Sequence, residues 1–117
     1  MKHLKEGKKF HRKKDQREAL LESLVNNLII NEKIQTTTAK AKEAKRKAER
    51  LITIAKKQDL ASYRLLKQEL PEKSLNKLYY ELSHRYKDRN GGYTRIIKIA
   101  TPRKGDNSDL SILELIK

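Results

Sequence analysis

RYKDRNGGYTRIIKIATPRKGD, residues 85–106, is the stretch around which the fold is read. It carries seven Lys or Arg and one acid before Gly105, with three of the chain's four glycines. Asn90-Gly91-Gly92 signals a chain reversal, because Gly, and to a lesser degree Asn, takes positive φ cheaply. The run Tyr93–Ala100 that follows is rich in β-branched residues and reads as a strand. Ile96 and Ile97 are adjacent, so alternation assigns no face to it. Thr101 to Asp109 is a second turn, polar and charged. A strand is thus flanked at both ends by basic loops that contain glycine. A flexible backbone among cations can approach phosphates closely. This segment is read as the part that touches a partner, with the helices before it as scaffold.

Working outward, the 117 residues suit one domain. The net charge of +14 is a large excess of one sign and calls for a polyanionic partner. Nucleic acid comes first and an anionic membrane surface second. There is no cysteine, hence no disulfide framework and no thiolate metal site. The N-terminus is basic with no apolar run behind it, unlike a secretory signal, and no stretch approaches a membrane span.

Residues 1–14 hold seven Lys or Arg against Glu6, with Met1, Leu4 and Phe10 as the only apolar anchors. They cannot bury enough surface to order alone. They read as a basic arm, disordered when free, that orders along nucleic acid. Residues 15–117 form the single folded domain. Asp15-Gln16-Arg17-Glu18 has the form of a capping box. Leu20, Leu21, Leu24, Val25, Leu28 and Ile29 then recur at helical spacing and predict a core-facing helix over Gln16–Ile30. Lys33–Thr37 is a short strand, and Thr37 or Thr38 can cap the next helix.

That helix, Ala39–Lys57, places Ala41, Ala44, Ala48, Leu51, Ile52 and Ala55 on one face. Eight cations share its other faces with two acids, Glu43 and Glu49. This exceeds what i,i+4 pairing would use, and part of the helix is read as a phosphate contact. Asp59 caps a third helix, Leu60 to Glu69, with Leu60, Tyr63, Leu66 and Leu70 inward. Pro71 suits the first turn of a fourth, along which Leu75, Leu78, Tyr79, Leu82 and Tyr86 follow the helical period. Charge over these two helices is nearly balanced, as in scaffold. Strands Tyr93–Ala100 and Leu110–Ile116 pair antiparallel, joined by Lys33–Thr37. The fold expected is α+β in two layers, about four helices packed on a small three-stranded mixed sheet, with a basic N-terminal arm.

Catalytic signatures are missing. There is neither a Gly-x-x-x-x-Gly-Lys-[Ser/Thr] loop nor a Gly-x-Gly-x-x-Gly. His3, His11 and His84 are scattered, and no nucleophile elbow occurs. Asp106 and Asp109 sit among turn residues and read as turn formers. The chain is read as a non-enzyme without metal, cofactor or small-molecule substrate.

Several blocks, in order, then carry a resemblance. They are Met1-Lys2-His3, Gly7-Lys8-Lys9 and Arg12; Glu32-x-Ile34-x-Thr36-Thr37; Lys40-Ala41-Lys42-Glu43; and Glu49-x-Leu51-Ile52-Thr53. The most specific is Arg89-Asn90-Gly91-Gly92-Tyr93-Thr94-Arg95-Ile96, followed by Lys98, Arg103-x-Gly105-Asp106 and Glu114-Leu115. Along nearly its whole length the chain resembles the bacterial large-subunit ribosomal protein family numbered seventeen. It departs from that family's usual residues at Gln16, Asn31, Ser108 and Asp109. The resemblance implies a two-layer α+β fold on the outer face of the large subunit, near the peptide exit, in the cytoplasm. It implies binding to large-subunit ribosomal RNA, with neighbouring ribosomal proteins as secondary partners, and a structural role. It implies RNA contact by Lys2, His3, Lys8, Lys9, Arg12, Arg17, Thr37, Lys40, Lys42, Arg46, Arg89, Gly91, Gly92, Tyr93, Thr94, Arg95, Arg103 and Lys104. The alternative, a DNA-binding architectural protein, would show little preference between duplex DNA and structured RNA. A membrane-surface protein would need a broad exposed apolar helix face, and the stripes here have the width of core.

Overall fold

The computed structural model describes residues 13–117, so the arm expected over residues 1–14 lies almost wholly outside them. Helix α1 spans Lys14–Asn31 and buries Val25, Leu28 and Ile29. Its N-terminus differs from the expectation. The cap position falls on Lys13, and no side chain caps it; Asp15 lies in the first turn instead. An acid there still favours the positive end of the helix dipole. The helix ends at Glu32, which takes the left-handed conformation (φ 65°) and donates its N–H to the Leu28 carbonyl.

The strands are β1 (Lys33–Thr37), β2 (Thr94–Lys98) and β3 (Leu110–Leu115), in the spatial order β1-β3-β2. Both pairings are antiparallel, so the sheet is antiparallel throughout and not mixed. The reason lies in the order. β1 and β2 run parallel to each other, but the returning strand β3 separates them. The register settles the faces of β2. Ile96 stands opposite Leu113, which is fully buried, whereas Ile97 stands opposite Ile112 and is 44% exposed. The helices cover the Leu113 side.

Helix α2 (Thr38–Ala55) packs on that side. All six residues of its expected apolar face are buried, four of them alanines. With so little side chain on its inner face, α2 can lie close to β2, β3 and α1. Thr37 occupies the cap position without making a cap bond, and the Thr38 hydroxyl bonds Ser111 across the sheet at 2.7 Å.

Helix α3 (Leu60–Glu69) begins as expected, with the Asp59 carboxylate accepting from the Ser62 N–H at 2.7 Å. Leu60, however, is 62% exposed and not inward. It lies about 120° around the helix from the buried Leu66, at the rim of the contact. Pro71 is the residue before the next helix and not within its first turn.

That helix, α4 (Glu72–Asn76), runs on through a π-helical stretch (Lys77–Leu82) into the short α5 (Ser83–Arg85). The wide turn has a visible cause. In a regular helix the Tyr79 carbonyl would accept the Ser83 N–H. Here it accepts the Ser83 hydroxyl and the Gln58 amide, the latter at 2.8 Å. The Ser83 N–H donates one residue further back, to Leu78. Leu75, Leu78, Leu82 and Tyr86 remain buried, while Tyr79 is only partly covered.

Candidate nucleic-acid interface

Helix α2 is the longest basic element among the described residues. Its 18 residues span about 27 Å. With Ala44, Ala48 and Ala55 turned inward, spacing puts Lys42, Arg46 and Arg50 on the opposite side, all exposed, and Lys57 is exposed in the turn that follows the helix. Some of this charge is engaged. Arg50 pairs with Glu69 at 3.3 Å, Lys47 with Glu22 at 3.8 Å and Arg46 with Glu43 at 3.8 Å. Exposed pairs of this kind are weak and readily exchanged. Among the described residues Lys40, Lys42, Lys45 and Lys57 form no ion pair. At the start of α2 an open groove of about 470 Å³ is lined by Thr37, Thr38, Ala39, Lys42, Lys98, Ser108 and Asp109.

The Gly-Gly loop lies at the other end of α2. Lys56, at that end, donates to the Arg89 carbonyl and, at 3.0 Å, to the Tyr93 hydroxyl. Its ammonium also lies 5.0 Å from the centre of the Tyr93 ring. Gly92 has φ 63°, the left-handed conformation that glycine takes without strain. The Arg89 guanidinium closes the loop by donating to the Gly92 carbonyl at 3.1 Å. Among the described residues no protein acceptor takes the amides of Asn90, Gly91, Gly92 or Tyr93. Asn90, Gly91 and Gly92 are exposed, so the loop offers peptide N–H groups beside an arginine. That is a combination suited to phosphate oxygens.

The structure divides the other expected site residues. Lys2, His3, Lys8, Lys9 and Arg12 lie outside the described residues. Arg17 is half-buried on α1, and its Nε has no hydrogen-bond partner among the described residues. Thr37, Lys40, Lys42 and Arg46 gather along α2. Arg89, Gly91 and Gly92 form the loop. Tyr93 and Thr94 are 2% and 3% exposed. Their side chains are committed to the fold: Thr94 donates its N–H and its hydroxyl to Glu49, at 3.3 and 2.7 Å. Arg95 stands on the outer face of the sheet and pairs with Glu114. Arg103 pairs with Asp106, which also accepts the Ser108 N–H at 3.1 Å. The Arg103 bond holds the Asp106 carboxyl well below the usual carboxylate range. This pair shapes the β2–β3 turn, in keeping with Asp106 as a turn former. Lys104 is exposed beside it.

Sequence reasoning missed Glu49 and Lys56 as anchors of the loop. A signal existed. They lie seven residues apart, on one side of α2, and Glu49 is one of only two acids in that basic run. It also left Arg50, Lys57 and Lys98 out of the site, though all three are exposed cations on or beside the same strip. Among the described residues no cluster of His, Cys, Asp and Glu could hold a metal ion. No helix there is long and apolar enough to cross a membrane.

The family model described as ribosomal protein L17 matches residues 20–116. The chain is 47% identical to large ribosomal subunit protein bL17 of Pelobacter propionicus, covering 100% of this chain and 92% of that protein. It is 46% identical to the protein of the same name from a Hydrogenobaculum species, each covered in full. It is 43% identical to the one from Staphylococcus haemolyticus, covering 93% of this chain and 97% of that protein.

Proposed function

Because the chain belongs to the ribosomal protein L17 family, we propose that the strip along α2 and the loop Arg89–Gly92 bind large-subunit ribosomal RNA. The chain is a structural constituent of the large ribosomal subunit and not an enzyme. In the ribosome of the cytoplasm it neutralises RNA segments and holds them together, with neighbouring ribosomal proteins as secondary partners. One observation carries the reading. Lys56, next to the exposed cations of α2, bonds the Arg89 carbonyl of the Gly-Gly loop, whose amides have no acceptor among the described residues, and this supports reading helix and loop as one surface for RNA backbone. Thr37, Lys40, Lys42 and Arg46 act from α2, and Arg89, Gly91 and Gly92 from the loop. Tyr93 and Thr94 support the loop from beneath. Arg17, Arg95, Arg103 and Lys104 extend the basic surface, and Lys2, His3, Lys8, Lys9 and Arg12 add a further RNA-binding arm.

The family gives no support to a DNA-binding architectural role, and competition separates the two. Large-subunit RNA is expected to displace labelled RNA far better than duplex DNA of equal length. Affinity is expected to fall steeply with salt, as counterions are released from the RNA. A flat dependence of log affinity on log salt refutes the basic surface as the contact.

A further inference from the structure

We infer that Lys56 is a positioning residue for RNA binding, acting through the Gly-Gly loop and not on RNA itself. This rests on the reading that the loop meets RNA. Lys56 belongs to the basic run of α2, yet its ammonium is turned to the protein. It donates to the Arg89 carbonyl and to the Tyr93 hydroxyl, and it lies against the Tyr93 ring. These contacts hold both ends of the segment Arg89–Tyr93, which makes the reversal. Tyr93 is itself anchored, packed at 5.2 Å between ring centres against the buried Tyr86. One residue on, Glu49 takes both the N–H and the hydroxyl of Thr94. Glu49 of α2 and Lys56 at its C-terminal cap therefore hold the far side of the loop, one by its carboxylate and one by its ammonium.

The geometry has a purpose that stability alone does not require. The amides of Asn90, Gly91, Gly92 and Tyr93 have no acceptor among the described residues, and an exposed Gly-Gly segment is the most mobile kind of backbone. A loop left loose would lose conformational freedom on binding, and affinity would fall accordingly. Lys56 limits that freedom beforehand. It also sets the loop against the end of the α2 strip, so that a single RNA backbone can run from Arg50 and Lys57 to Arg89.

The test uses the full chain and large-subunit RNA, with binding measured over a series of salt concentrations. Lys56→Gln is expected to weaken binding about fivefold, the size of losing order in one short segment. The salt slope is expected to stay the same, because no phosphate contact is removed. Amide exchange is expected to quicken at Arg89 and Thr94, whose N–H groups are bonded to the Tyr86 carbonyl and to Glu49 on either side of the loop, with the rest of the protection pattern intact. Lys56→Arg, which keeps a cationic donor in reach, is expected to restore both affinity and protection. A slope shallower by about 0.7–0.9 marks the loss of one phosphate contact. In that case Lys56 touches RNA and the inference is wrong. It is equally wrong if Lys56→Gln binds as the parent does while Arg89→Ala and Gly92→Val bind weakly. If all three bind as the parent does, the loop is not at the RNA, and the reading beneath the inference fails with it.

Discussion

Replacing Glu32 by Gln tests how the α1–β1 corner is held to the fourth helical segment. Glu32 closes α1 in the left-handed conformation, at φ 65°, which costs a residue with a Cβ roughly 1 kcal/mol. Its carboxylate accepts from both ends of the Arg85 guanidinium, at 2.6 and 3.2 Å. Lys77 lies 3.1 Å away and also donates to the Ile30 carbonyl. The Arg85 hydrogen bond, aided by Lys77 and opposed by burial, lowers the Glu32 pKa from 4.5 to about 2. Such a shift, at about 1.4 kcal/mol per pH unit, sets a ceiling of about 3.5 kcal/mol on the stability gained. The side chain is 28% exposed, so solvent screening brings the working figure to about 1.5–2 kcal/mol.

The folded pKa is depressed, so this stability is fully present above the ordinary carboxylate range. It is lost as the pH falls through roughly 5 towards 2. Glu32→Gln is therefore expected to lower the melting temperature at neutral pH by about 5–10 °C. The gap between the two proteins is expected to close as the solution is acidified. Other acids with depressed values, Asp106 and Asp59, are common to both proteins and cancel in the comparison. Thermal unfolding followed by circular dichroism at several pH values supplies the measurement. A variant that melts with the parent at neutral pH, or a gap that does not change with acid, refutes the argument.

Three further substitutions separate fold from contact. Gly92→Val meets open space, since no atom lies within 4 Å of the added Cβ; the strain comes from the backbone alone, about 1–3 kcal/mol, and both melting temperature and RNA affinity are expected to fall. Arg95→Ala breaks only an exposed pair with Glu114 and is expected to cost less than about 1 kcal/mol; if it leaves RNA affinity at the parental value in a binding titration, Arg95 is not an RNA contact. Leu78→Ala empties a fully buried position and is expected to cost about 2–5 kcal/mol, read as a lower denaturant midpoint with an unchanged slope.

The elements legible in the sequence were those that a single period describes. The apolar face of α2 was readable residue by residue, because alanine and leucine at helical spacing leave little choice of face. Lys33–Thr37 was readable to its ends, bounded by the close of α1 and by Thr38. What escaped depended on partners distant in sequence. Ile96 and Ile97 could not be assigned until Leu113 and Ile112 stood opposite them. The strand order could not be read because β3, last in the chain, separates the first two strands. Leu60 follows the helical period, but α3 reaches the rim where nothing covers it. The wide turn before Ser83 depends on Gln58, which approaches from another corner and takes part of the Tyr79 carbonyl. No local pattern contains that information.

The same division applies to the site, where a count of charges does not tell a free cation from a paired one. On α2 and in the turn after it, the excess of cations over acids leaves Lys42, Arg46, Arg50 and Lys57 at the surface. Counting does not show which cations already have a protein partner. Lys56 belongs to the basic run of α2, yet it is turned to a carbonyl and a phenol. Arg95 and Arg103, counted in the basic stretch 85–106, each hold a carboxylate on another strand or within the same turn. An arginine already in a pair can reach phosphate only by giving up that pair, so its net effect on affinity is the difference of two similar interactions. Among the described residues the amides around Gly91 and Gly92 have no bond to give up, and Lys42 and Lys57 have no ion pair to break. The strongest contributions to RNA affinity are therefore expected from loop backbone and from Lys42 and Lys57, with the paired arginines contributing least. Alanine substitution of Lys42 and Arg103, compared at one salt concentration, puts that order to the test, and a larger loss at Arg103 reverses it.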